Sequence, residues 1–315
     1  MSRLTQTVTL VSDRHFGRRL PLRAIGAVLT ALPKVVRQAV SMAFLGHSDD
    51  NSGKQGWLED AADLRFTDHQ GDDESILVFE LPTLGEAAAD LFESGEPWST
   101  SLDPNATGLD LLGDVVREIA SRNIESERFD RRLLGRIARL KTLFDGAFRE
   151  LRLNPRHSGE SPVTVINPQL ALSAKRLRDA TPHPQRVRVV GLLEAVHPTT
   201  RSFLLRLDDG QEDRGILASG SIPDALAHLN RRVLVLGTAV YRASGRLLRI
   251  DADAIRAGDG EPALWSRIPP PRTQGIDSSV LHVPQSPGTG VSAIIGRWPG
   301  DETDEEIAAW LERNS

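Results

Sequence analysis

Cysteine is absent from this chain of 315 residues. Disulfides, thiolate catalysis and cysteine-held zinc or iron–sulfur sites are therefore excluded. Aromatic residues are scarce at 5%, with one tyrosine, so surfaces for stacking bases are few. Lysine is nearly missing, with 4 lysines against 34 arginines. The most apolar stretch, Ala24–Pro33, runs for ten residues into Lys34 and Arg37, too short and too interrupted to span a bilayer. Met1–Arg19 alternates polar and apolar residues and lacks a signal-peptide core. The expectation is a cytoplasmic protein. No HExxH, GxSxG elbow, phosphate-binding glycine loop or dinucleotide fingerprint occurs. Ser219-Gly220-Ser221 lacks the flanking glycines and reads as a loop. The chain therefore reads as non-enzymatic, with no cofactor and no metal.

What is present is an ordinary globular balance of 39% hydrophobic and 26% charged residues, long enough for two domains. The net charge of −5 speaks against a polyanion binder over the whole chain. It is unevenly spread. Residues 156–296 carry 17 basic and 13 acidic side chains, and the last nineteen carry 2 and 6.

Residues 1–155 read as an α+β domain. Thr5–Val11 alternates as a strand. Leu22–Phe44 has helical periodicity, and Pro33 predicts its division into two short helices. Ala62–Phe66 and Ile76–Glu80 read as strands around the turn His69–Asp73. Helices are predicted near 84–93, 108–121 and 127–152. The last carries a stripe of Leu133, Ile137, Leu140, Phe144 and Leu151, with Arg132, Arg136, Arg139 and Arg149 largely off it.

Residues 156–255 change period. Arg186–Glu194, Ser202–Leu207, Asp213–Ala218, Arg232–Tyr241 and Arg246–Asp253 read as strands, with Pro223–Leu229 a short helix between the third and fourth. Asp209-Gly210 and Ser244-Gly245 are hairpin turns. That element order resembles an OB-fold, a small five-stranded β-barrel, with an SH3-like barrel as the competing architecture. Residues 256–290 are rich in Pro, Gly and Ser and read as a linker to a tail at 291–315.

Three sets of residues are candidates for function. His69 lies near Asp68, Asp72, Asp73 and Glu74, a pattern that reads as a solvated acidic turn rather than a metal site. A basic helix, Arg128–Arg139, with Arg132, Arg136 and Arg139, can contact phosphates, as can Arg186, Arg188, Arg242, Arg246 and Arg249 of the barrel, with Tyr241 beside them. The tail is the third. Val291–Ile295 is strand-like and includes Ile294 and Ile295. Thr303 and Glu306 match a capping box, and Ile307, Trp310 and Leu311 form an apolar stripe. A helix of about ten residues is marginal alone, so the tail either packs on its own chain or folds on a partner.

The run Gly296-Arg297-Trp298-Pro299-Gly300-Asp301-Glu302-Thr303-Asp304-Glu305-Glu306-Ile307 resembles the tail of bacterial VapB-like antitoxins, which pair with PIN-domain ribonucleases. The resemblance covers about 25 residues, and the usual small DNA-binding domain is not seen before it. It implies that the tail wraps a PIN-domain toxin and obstructs its metal-dependent active site. Arg297 would meet the nuclease carboxylates and Trp298 a neighbouring pocket. Asp301, Glu302, Asp304, Glu305 and Glu306 would mimic RNA phosphates, and Ile307, Trp310 and Leu311 would lie in a groove. Nucleic-acid binding by the barrel and the basic helix is the alternative.

Overall fold

A computed structural model of the chain describes residues 3–14, 16–49, 55–71, 74–94, 98–99, 102–154, 163–258 and 265–271. The first part is a five-stranded sheet with helices. β1 (Arg3–Val11) lies at its centre, between β3 (Ser75–Pro82) and β4 (Glu150–Leu153). β2 (Arg65–Gln70) and β5 (Thr164–Ile166) form the edges, and every pairing is antiparallel. Alternation sorts the side chains. Val8, Leu10, Leu77, Phe79, Leu81, Leu151 and Leu153 enter the core, while Thr5, Glu80 and Arg152 do not.

Helices α1 (Leu22–Leu45), α5 (Gly108–Ala120), α6 (Arg131–Arg139) and α7 (Pro168–Ala180) are the longest of the set that packs on this sheet. Between them fall α2 (Gly56–Ala61), α3 (Leu84–Ala87) and α4 (Ala89–Ser94). β5 and α7 pair and pack with the elements of this part.

Three expectations need correction. Pro33 does not divide α1, which runs unbroken for 24 residues. Proline removes one backbone hydrogen bond, but Val28, Leu32, Val35, Val36, Ala39 and Val40 bury one continuous face, and that packing outweighs the loss. Length and composition would let α1 cross a membrane, and 61% of that window is buried in the fold. Second, the helix expected over 127–152 is α6 followed by a 3-10 turn at Leu140–Phe144, and 150–153 is strand. Glu150–Leu153 alternates with period two against β1, so Leu151 belongs to a pleat rather than to a helical stripe. Third, the strand expected at Ala62–Phe66 begins only at Arg65, because α2 ends at Ala61.

The second part is a closed barrel. β6 (Gln185–His197), β7 (Ser202–Arg206), β8 (Glu212–Leu217), β9 (Arg232–Tyr241) and β10 (Leu247–Ala257) close in the order β10-β8-β7-β6-β9. β10 runs parallel to β8 and antiparallel to β9, and α8 (Ile222–Leu226) bridges β8 to β9. This is the OB-like five-stranded arrangement expected from the element order. Val187, Val189, Leu193, Phe203, Leu205, Val235, Tyr241 and Ile250 fill its interior. Gly215 makes room for Phe203, since a Cβ there would lie 2.0 Å from the ring. The two parts share a seam: Val240 and Leu248 of the barrel belong to the first hydrophobic core.

Candidate functional site

Folding brings distant arginines together on α6. Asp130 caps the helix, its carboxylate accepting from the backbone N–H groups of Arg132 and Leu133. Leu133, Leu134 and Ile137 point into the core, which turns Arg132, Arg136 and Arg139 outward. On one side of the helix lies a cleft of about 610 Å³ lined by Arg131, Arg132, Arg136, Arg139, Arg178 and Arg249, with Asp49, Asp130 and Asp251. A second hollow, of about 450 Å³, is lined by residues of α1, of α6 and of the 3-10 turn that follows it. Its cations are Arg23, Lys34, Arg136 and Arg139, over a floor that includes Ala27, Ala31, Val35, Leu140 and Leu143.

A buried ion cluster closes the inner end of the cleft. Arg249 and Asp130 are 5% and 6% exposed, with 3.4 Å between Nη1 and Oδ2. Arg249 also donates to Asp251 at 2.7 Å and to the Gly46 carbonyl at 3.0 Å, and Ser48 donates its hydroxyl to Asp130 at 2.5 Å. Burial pushes the Asp130 carboxyl up, but the Arg249 guanidinium and hydrogen bonds from Ser48 and Leu133 hold it below its ordinary value. Burial pulls the Arg249 guanidinium down, but Asp251 and Asp130 together hold it above its ordinary value. His47 is lowered, by burial first and by Arg249 second.

The outer arginines differ. Arg132 pairs with Asp49. Arg131 donates to the carbonyls of Arg178 and Thr181, both at 2.7 Å. Arg136 reaches Gln38 at 3.3 Å.

The other barrel residues singled out above do not join this cleft. Arg186 pairs with Asp253, and Arg188 sits 5.8 Å from the centre of the Trp265 ring. Tyr241 is 2% exposed, inside the barrel, with its hydroxyl against Gln185 and Pro269. Its ring is therefore not presented for stacking. Arg242 donates to the Glu125 carbonyl and to Glu127, and Arg246 lies 3.8 Å from the Glu125 carboxylate. Arg242 lines a separate pocket of about 420 Å³ with Trp98, His197, Asp213 and Arg214.

Asp72 and Asp73 beside His69 lie outside the described residues, as do Ile294, Ile295, Arg297, Trp298, Asp301, Glu302, Ile307, Trp310 and Leu311. Among the described residues no group of three or more His, Asp or Glu side chains is arranged to hold a metal ion.

The sequence reading missed Arg23, Lys34 and Arg178, and took in Arg131 only as part of the basic helix Arg128–Arg139. One signal was available: Arg23 and Lys34 stand eleven residues apart, three helical turns, and so share a face of α1. No protein-family model, no curated protein and no solved structure matches this chain.

Proposed function

We propose that this protein is a non-enzymatic, antitoxin-type inhibitor that neutralises a PIN-domain ribonuclease through residues 291–315. The observation that carries this reading is the run Gly296–Ile307, with its Trp-Pro-Gly-Asp-Glu-Thr centre. The chemistry of the residues suits the task. A nuclease site built of carboxylates around a divalent metal is neutralised by a guanidinium, which Arg297 supplies in a fork matched to carboxylates. Trp298 is the aromatic anchor beside it. Asp301 and Glu302 face the basic rim that otherwise holds RNA phosphates, and speed encounter. Ile307, Trp310 and Leu311 lay one helical face into a groove, and Ile294 and Ile295 extend the grip.

The compact body of the chain ends at Gln274, before this segment begins in the sequence. The barrel of that body is read as an OB-fold module from its strand order and the place of α8.

The test uses a co-expressed nuclease from an adjacent reading frame and a labelled RNA. Trp298→Ala and Arg297→Glu each weaken inhibition by about 30-fold or more, the usual cost of truncating an aromatic or arginine anchor. The urea midpoint of the body stays unchanged. Full inhibition by both variants would overturn the reading.

A further inference from the structure

The two hollows on α6 carry a charge at odds with the rest of the chain. Together they are lined by eight cationic side chains and three acidic ones, in a protein of net charge −5. All three acids already face arginines, Asp130 and Asp251 at Arg249 and Asp49 at Arg132. No acidic side chain lines the second hollow. Among the described residues, no ion pair or hydrogen bond engages the side chains of Arg23, Lys34 or Arg139, and all three are exposed. Arg136 and Arg139 stand three residues apart on one helical face and belong to both hollows, so the two are continuous. Like charges at that spacing repel, and a bound anion removes the repulsion.

We propose that these joined hollows form a track for the phosphate backbone of double-helical nucleic acid, independent of residues 291–315. Three features select this ligand. Arg23 and Lys34 lie about 16 Å apart along α1, too far for one phosphate and suited to a chain of them. Guanidinium forks match phosphate oxygens in pairs, and the aliphatic floor offers no carboxylate to compete for them. No aromatic side chain lines either hollow, so the stacking that holds single strands has no platform here. Contact therefore falls on the backbone, whose regular phosphate spacing a duplex provides, and base sequence is not read.

The experiment is fluorescence anisotropy of the full-length chain with a labelled duplex of about 20 base pairs, as RNA and as DNA, together with the single strand and a polyglutamate competitor. Arg23, Lys34 and Arg139 neutralise three phosphates, which sets a slope of about −2.7 for log affinity against log salt. Raising salt from about 50 to about 150 mM weakens duplex binding about 20-fold. The double variant Arg23→Ala/Arg139→Ala loses most of the affinity and lowers the slope to about −0.9. Arg139→Lys retains binding, and Arg149→Ala, an exposed arginine paired with Asp13 outside the track, changes nothing. No duplex binding at low salt, an unchanged slope in the double variant, tighter binding of the single strand, or binding of polyglutamate in place of duplex would each overturn the proposal. None of these variants touches residues 291–315. Loss of the track therefore leaves nuclease inhibition to be judged separately, and loss of inhibition leaves the track intact.

Discussion

Asp130 has two jobs, and its replacement separates them. Its carboxylate caps α6 and also faces the buried Arg249, 3.4 Å away. Asp130→Asn keeps a good cap and removes the charge, whereas Asp130→Ala removes both. Losing one partner of a buried ion pair costs about 3–5 kcal/mol, because the other charge remains in low dielectric. Here Asp251 stays 2.7 Å from Arg249 and softens that loss, so Asp130→Asn should cost about 2–3 kcal/mol. Asp130→Ala should cost about 1 kcal/mol more for the cap. Arg249→Met removes the other charge, and in its background Asp130→Asn should cost under about 1 kcal/mol. The coupling in that cycle measures the pair itself. The assay is urea unfolding followed by tryptophan fluorescence and by circular dichroism, with coincidence of the two probes as the check on cooperativity. Additive costs in the double variant, or an Asp130→Asn cost under about 0.5 kcal/mol, would refute the reading of Asp130 and Arg249 as a coupled buried pair.

Three further outcomes follow from the same structure. Burial, with the Arg249 guanidinium beside it, holds the folded pKa of His47 below the ordinary imidazole value of 6.5, so the unfolded chain binds the proton more readily. Stability from this group is therefore complete above about pH 6.5 and is lost as pH falls below it. Urea midpoints between about pH 8 and pH 5 should fall in the wild type and be flatter in His47→Gln. Asp130 has the opposite chemistry with the same sign. Its lowered pKa means that its contribution is present above the ordinary carboxylate value of 3.8 and lost as pH falls through the folded one. The gap between wild type and Asp130→Asn should therefore close in acid. Gly46 ends α1 at φ +73°, and a Cβ there would lie 2.3 Å from the Trp98 ring. Gly46→Ala should thus cost about 2 kcal/mol or more in unfolding and alter Trp98 fluorescence, and a cost under about 0.5 kcal/mol would contradict the packing.

The barrel was readable in the sequence because its information is local. Alternating Val, Leu and Ile runs set the strands, Asp209-Gly210 and Ser244-Gly245 set two turns, and Arg232–Tyr241 emerged with its boundaries unchanged. The first part was harder. Leu151 fits a helical stripe and a pleat equally well in isolation, and only pairing with β1 decides between them. Pro33 carries a real local cost that a buried helical face overrides, which a residue count cannot weigh.

The site divided in the same way. Arg132, Arg136 and Arg139 stood out as charges opposite a core stripe, but their joining with Arg249, more than a hundred residues later, is a product of tertiary packing. Tyr241 was the mirror case. An aromatic among arginines looks available for stacking, yet its place on the inner face of β9 buries it.

Co-purification tests the central claim most directly. The tagged full-length chain and a version ending at Gln285 are each co-expressed with the product of the adjacent reading frame, and what elutes is identified by mass spectrometry. The account predicts that a small metal-dependent nuclease accompanies the full chain in a stable complex and is absent from the shortened one. A nuclease retained equally by both versions, or by neither, would contradict it.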